Sequence, residues 1–141
     1  MEELRGRSVV EGTARGEALV TGQVFGFWGG IDPSTGIIVD RRHELYGQCI
    51  AGKVFVFPSG RGSTVGAAVI LELARCGKAP AAILNNETEP ILAAGGYLSG
   101  RFYDAGFPMI DGFGQDITQA IHSGDLVEVD GATGTVKVVR K

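Results

Sequence analysis

The sequence predicts one compact α/β domain, a small parallel core with flanking antiparallel hairpins, and three stretches predict it. Val54-Phe55-Val56-Phe57 is a run of apolar β-formers stopped by Pro58, followed by a glycine-rich turn and a helix closing at Cys76-Gly77. Ala79-Pro80-Ala81-Ala82-Ile83-Leu84-Asn85 is a second apolar run of strand length. With a helix between the two runs, they predict a parallel pair with a right-handed crossover. Leu126–Asp130 and Thr135–Val139 flank Gly131-Ala132-Thr133-Gly134, the pattern of a β-hairpin.

The remaining elements follow in chain order. Val9-Val10 and Ala18-Leu19-Val20 predict two short strands, with a turn at Ala14-Arg15-Gly16-Glu17. The aromatic stretch Val24-Phe25-Gly26-Phe27-Trp28 runs into Gly29-Gly30 and an Asp32-Pro33 turn closed by Gly36. Ile37–Asp40 predicts a strand, and Leu45–Cys49 a loop. Glu89–Ala94 predicts a short helix with Pro90 at its first position and Gly95-Gly96 ending it. Pro108-Met109-Ile110 predicts a strand, and Asp116–His122 a turn or two of helix before Ser123-Gly124. Glu128 and Lys137 are expected to face solvent while the hairpin valines face inward.

Composition narrows the function classes. The 141 residues are 44% hydrophobic and 21% charged, ordinary for a globular domain of residues 1–141. The 23 glycines with only 5 prolines and no Gly-X-Y period imply many tight turns. A net charge of −3, with 13 scattered basic residues and Arg41-Arg42 the one internal pair, argues against a nucleic-acid surface. No apolar stretch approaches a membrane span, and the acidic start Met1-Glu2-Glu3 is unlike a signal peptide, so a cytoplasmic chain without membrane contact is expected. Cys49 and Cys76 are expected as reduced thiols, and with His43 and His122 they form no recognisable metal or iron–sulfur ligand set. Metal chemistry would need a metal brought by another polypeptide.

The candidate site is Gly60-Arg61-Gly62-Ser63-Thr64-Val65-Gly66. Gly60 and Gly62 let a ligand approach the backbone, and Ser63 stands at the N-cap position, ahead of unpaired helix N–H groups. A plain cap explains the serine but not Arg61. A nucleotide phosphate would suit the helix N-terminus, although the glycine spacing is one residue off the dinucleotide fingerprint and no P-loop Gly-Lys-Ser/Thr occurs. A reacting Ser63 would draw on the helix dipole, turn N–H groups and the Arg61 guanidinium. No Ser-His-Asp arrangement is readable. Phe25, Phe27 and Trp28 are expected in the core, Asp32 on its own turn, and Glu72, Glu89 and Asp104 as solvated charges. Asn85-Asn86-Glu87 falls where parallel strands present ligands, at a strand's carboxyl end.

Taken together, Phe27-Trp28-Gly29-Gly30-Ile31-Asp32-Pro33-Ser34-Thr35-Gly36, the run Gly52–Ser63 and Ala79-Pro80-Ala81-Ala82-Ile83 resemble the swivel domain of aconitase X enzymes over nearly the whole chain. That resemblance implies a swivelling β/β/α fold and a dehydratase subunit active only with a large subunit, which carries the iron–sulfur cluster. It implies loss of water from a β-hydroxy acid: 5-phosphomevalonate giving trans-anhydromevalonate 5-phosphate, in the mevalonate route to isoprenoids, or, in the other branch, cis-3-hydroxy-L-proline. A separately encoded small subunit points to the phosphomevalonate branch. The resemblance assigns proton abstraction to Ser63 and the cluster's role as Lewis acid to the partner. Arg61 is then expected to grip a substrate carboxylate or phosphate, with the Gly62 and Thr64 N–H groups completing the cradle. Gly29-Gly30 is expected to approach substrate or large subunit. The reading from another class is a non-catalytic module holding a nucleotide on the Gly60–Gly66 turn.

Overall fold

A computed structural model describes residues 2–27, 29–59, 64–88, 90–103 and 106–139. Its elements run β1 (Glu2–Arg5), β2 (Arg7–Val10), β3 (Thr13–Val20), β4 (Ile31–Asp32), β5 (Ile37–Ile38), β6 (Val54–Val56), α1 (Thr64–Arg75), β7 (Ala82–Leu84) and α2 (Pro90–Tyr103). Then follow β8 (Met109–Asp111), α3 (Ile117–Ala120), β9 (Leu126–Asp130) and β10 (Thr135–Val139).

Eight of these strands form one sheet in the order β1-β10-β9-β3-β6-β7-β8-β2. β3, β6, β7 and β8 are mutually parallel, with antiparallel partners on either side. The expected parallel pair of β6 and β7 is present, with Val54 opposite Ala82 and Val56 opposite Leu84. The expected hairpin is β9–β10, where Glu128 stands opposite Lys137.

Side-chain alternation sorts the core into two faces. Ala18, Val54, Val56, Ala82, Leu84 and Ile110 point to the side lined by the hairpin valines and α3. Leu19, Phe55, Ile83 and Met109, one residue out of phase, point to the side covered by α1, α2 and the aromatic arm. Phe25 and Phe27 lie in that second layer, as expected, meeting Phe55 edge-on at 5.2 and 6.3 Å between ring centres. Residues 21–53 form the arm, which carries the β4–β5 hairpin between two adjacent parallel strands.

Three local expectations are corrected. Ala14–Glu17 is no turn: β3 runs unbroken from Thr13 to Val20 because its first half pairs with β9 while its second pairs with β6. The chain turns earlier, at Glu11-Gly12, and β2 pairs instead with β8 at the far edge. Gly95-Gly96 does not end α2, which continues to Tyr103. A Cβ at Gly95 would sit 3.1 Å from Ile70 Cβ and 3.2 Å from Ala67 Cα, so the glycine is there to let α2 approach α1. Ile37–Asp40 contributes strand only at Ile37–Ile38.

The end of α1 is as expected. Gly77 has φ +71°, its N–H bonds Ala74 O at 3.1 Å, and Lys78 N–H reaches Leu73 O at 2.9 Å, closing a Schellman motif. α3 is capped by Asp116, whose side chain accepts from Thr118 N–H.

Candidate active site

Because β3, β6, β7 and β8 are parallel, their carboxyl ends open on one edge of the sheet, the side where open α/β sheets bind ligands. The glycine turn leaves from β6 on that edge. Arg61, Gly62 and Ser63 lie outside the described residues. Thr64 is the first residue of α1, a twelve-residue helix, so the turn ends at a helix N-terminus with its partial positive charge.

What is described is the frame on which the turn is mounted. Ser59 O accepts the N–H of Phe25 at 3.2 Å, tying the turn to the arm. Pro58 O accepts from Asn86 N and Glu87 N at 3.0 and 3.3 Å, tying it to the end of β7. Asn85, fully buried, donates from Nδ2 to Phe57 O at 2.8 Å and so extends the β6–β7 ladder one step past the strand. Thr88 donates its hydroxyl to Asn85 Oδ1 at 3.4 Å and its N–H to Asp111 Oδ2 at 2.8 Å.

Asp111 closes this chain of bonds. It is 1% exposed, and Arg7 grips both its oxygens from Nε and Nη2, each at 2.9 Å. Burial opposes its charge, but the Arg7 fork and the Thr88 donors outweigh that, holding the carboxyl below the usual carboxylate range. Asn86 is equally committed: it accepts Ile117 N–H at 2.7 Å and donates to Asp116 at 3.0 Å. The Thr118 hydroxyl and Asn86 lower the Asp116 pKa. Asn85 and Asn86 therefore build the edge rather than offer free amides to a ligand.

On the other side of β6, the buried Thr21 hydroxyl donates to Glu44, and Glu44 N–H donates to Gln23 Oε1 at 3.1 Å. His43 is 8% exposed. Leu45 N–H donates to its Nδ1 at 3.1 Å, which leaves the proton on Nε2. Among the described residues that buried Nε2–H has no hydrogen-bond partner, and its ring packs perpendicular to Phe25, centres 5.4 Å apart.

Gly29 and Gly30 separate on inspection. Gly29 has φ +75° and open space where a Cβ would stand, whereas a Cβ at Gly30 would lie 2.1 Å from Gly26 O. Gly30 is thus required by the packing of its own loop. Asp32 accepts from Ser34 N–H and hydroxyl at 3.0 and 2.7 Å, on its own turn as expected, and the Ser34 hydroxyl bond lowers its pKa. Glu72 is not simply solvated, since it pairs with Arg75. Glu89, Asp104 and Trp28 lie outside the described residues. Both cysteines are free, each half-buried, and among the described residues no three His, Cys, Asp or Glu side chains gather to hold a metal. No helix among the described residues is long and apolar enough to cross a membrane.

Arg7, Thr88, Asp111 and His43 carried no sequence signal as site-framing residues. Arg7 and Asp111 stand 104 positions apart and meet only through the β2–β8 pairing.

The family described as the aconitase X swivel domain matches residues 3–138 of this chain. The chain is 41% identical to the phosphomevalonate dehydratase small subunit of Methanosarcina acetivorans, over 98% of this chain and 92% of that protein. It is 46% identical to the phosphomevalonate dehydratase small subunit of Methanocaldococcus jannaschii over 99% of both. Its structure resembles a chain of the holo-form crystal structure of Thermococcus kodakaraensis aconitase X, with a TM-score of 0.89, 41% identity, and coverage of 99% and 100%.

Proposed function

The chain belongs to the aconitase X swivel-domain family, and from that premise we propose that it is the small subunit of a phosphomevalonate dehydratase, a hydro-lyase. The observation that carries this reading is the near full-length identity to relatives bearing that name. The substrate is 5-phosphomevalonate and the product trans-anhydromevalonate 5-phosphate, a step toward isoprenoids in the cytoplasm.

In this reading the Ser63 oxygen takes the proton from the carbon beside the substrate carboxylate. The C–H electron pair becomes the new double bond as the C–O bond to the hydroxyl on the next carbon breaks. The departing hydroxide takes up a proton from solvent to leave as water, and Ser63 returns the proton it took to solvent. A serine oxygen needs help to act as a base at neutral pH. The help comes from the N-terminus of α1, which begins one residue later, and from the Arg61 guanidinium. Arg61 also grips the substrate carboxylate or phosphate, with Gly62 and Thr64 N–H groups beside it and Gly29 at the rim. The bonds holding Phe57, Pro58 and Ser59 fix the root of this turn, so the base is presented from a stiff mount.

The donor set of this chain does not fit an iron–sulfur cluster, since it has only two cysteines, and no step here is routed through one. A cluster belongs to the large subunit in this reading, supplying Lewis-acid assistance from that side.

Co-expression with the large subunit, followed by assay on 5-phosphomevalonate and on cis-3-hydroxy-L-proline, tests partner and substrate together. Turnover of the phosphorylated acid alone is expected; turnover of the imino acid alone would transfer the chain to the other branch. Arg61→Lys should lower activity strongly, because lysine cannot reproduce a forked grip. Unchanged kcat and KM would remove Arg61 from the site.

A further inference from the structure

His43 makes a turn bond that a smaller residue would make as well. Its Nδ1 accepts the N–H of Leu45, two residues on, at 3.1 Å. Among the described residues, aspartate makes the same bond at Asp32, Asp40, Asp116 and Asp130, and threonine makes it at Thr21 and Thr35. The histidine differs in bringing a ring, and in a cost. An imidazole whose Nδ1 accepts carries its proton on Nε2, and that N–H is buried without a hydrogen-bond partner among the described residues. A residue that only made the turn would avoid that cost, so the ring is the feature to be explained.

The ring leads to the glycine turn in two steps. It stands perpendicular to Phe25, centres 5.4 Å apart, a fourth ring around that side chain beside Phe27, Phe55 and Phe57. Phe25 is 1% exposed, and its N–H donates at 3.2 Å to the carbonyl of Ser59, which lies just past the end of β6. Unlike the other three rings, that of His43 has its orientation set by a backbone bond, because among aromatic side chains only imidazole carries an acceptor within the ring. The turn that bears it is itself anchored at the carboxyl edge. Thr21, the residue after β3, donates its N–H to Val56 O at 3.0 Å and its hydroxyl to Glu44, whose own N–H donates to Gln23 Oε1.

We propose that His43 is a positioning residue for the dehydration. Oriented by Leu45 N–H, its ring holds Phe25 where the Phe25 N–H meets Ser59 O. It thereby sets the root of the glycine turn from the β3 side, as Asn85 does from the β7 side. The inference rests on the dehydratase reading above. It gives His43 no contact with substrate, only the placement of the segment that carries the reacting serine.

The test pairs two variants of the full chain. His43→Asn keeps an acceptor for Leu45 N–H and removes the ring; His43→Phe keeps a ring and removes the acceptor. With the large subunit and 5-phosphomevalonate, His43→Asn should lower kcat by roughly 10- to 100-fold with KM unchanged, the scale of a small misplacement near the chemistry. His43→Phe should recover most of that loss. In the chain alone, amide hydrogen exchange followed by NMR should show the Phe25 N–H exchanging about 10-fold or more faster in His43→Asn. The Thr21 N–H, which bonds Val56 O, should keep its wild-type rate. His43→Leu, which fills the space without an aromatic face, takes the same measurements if His43→Asn does not fold. Equal acceleration of both amides would reduce His43 to a contribution to overall stability, and His43→Phe turning over as slowly as His43→Asn would break the link through Phe25. Either result overturns the inference, as does an unchanged kcat or unchanged exchange at Phe25. A wild-type pair that turns over no 5-phosphomevalonate overturns the dehydratase reading and with it the role in dehydration, while selective exchange at Phe25 would still show the link to Ser59.

Discussion

The hairpin end of the sheet and its carboxyl edge treat polar side chains in opposite ways. Along β9 and β10 the charges face water: Arg15 and Glu128 pair at 3.7 Å with side chains 65% and 46% exposed, while Val127, Val129, Val136 and Val138 fill the core. At the carboxyl edge the polar groups are buried, with Asn85, Asp111 and Thr88 at 0, 1 and 8% exposure, and each is held by named partners. Burying a polar group is costly unless its bonds are made, so a network like this persists where it fixes something in place. Here it fixes the carbonyls at the root of the glycine turn. The hairpin end is stabilised by apolar area and tolerates changes of charge; the edge depends on each bond.

The sharpest break in the comparison is Ser63→Ala. Combined with the large subunit, it should assemble normally and lose roughly 10²–10⁴-fold in turnover, the usual worth of a general base. Gel filtration and a steady-state assay check both halves. A variant that keeps most of its rate would place the base elsewhere and make the stiff edge a purely structural feature.

Asp111→Ala comes next, acting on stability. It leaves the Thr88 N–H without its acceptor and removes the partner of Arg7. Removing one member of a buried pair costs about 3–5 kcal/mol. Arg7 is 72% exposed and can turn to water, so a loss of about 2–3 kcal/mol in urea unfolding is expected. The pH dependence follows from the lowered folded-state pKa. The stability Asp111 contributes is complete above the unfolded carboxyl value of about 3.9 and is lost as pH falls through the lower folded value. Wild type and variant should therefore differ by a constant amount from pH 7 to about pH 5 and converge in stronger acid. A gap that closes already near neutrality would contradict the bidentate grip.

The contrast also explains how much could be read in advance. Periodicity reports which face of a strand is apolar, so β6, β7 and the β9–β10 hairpin were legible, as were the Gly77 stop and the helix α1 that follows β6. Local sequence does not report who packs where. Gly95-Gly96 reads as a helix stop, yet α1 lies against Gly95 and the Met109 side chain against Gly96, which makes both glycines contact surfaces. Gly16 reads as a turn, yet a Cβ there would fall 2.8 Å from Gly52 O, beneath a strand that passes straight through. The Arg7–Asp111–Thr88–Asn85 network was invisible because strand order β7-β8-β2 brings together residues that no spacing rule connects.

The smallest expected effect sharpens the comparison from the hairpin side. Glu128 stands opposite Lys137 in register and 3.7 Å from Arg15, a surface arrangement of three charges. Glu128→Gln keeps the shape and removes the charge. Exposed pairs are worth about 0.2–1 kcal/mol, so urea unfolding in low salt should register a loss of no more than about 0.5 kcal/mol. At about 1 M salt, where the screening length falls to about 3 Å, even that difference should vanish. Turnover with the large subunit should not change, because the hairpin lies beyond β3 from the strand that bears the glycine turn. A loss comparable to that of Asp111→Ala would mean that the exposed charges, too, belong to a bonded network, and the division between the two ends would not hold.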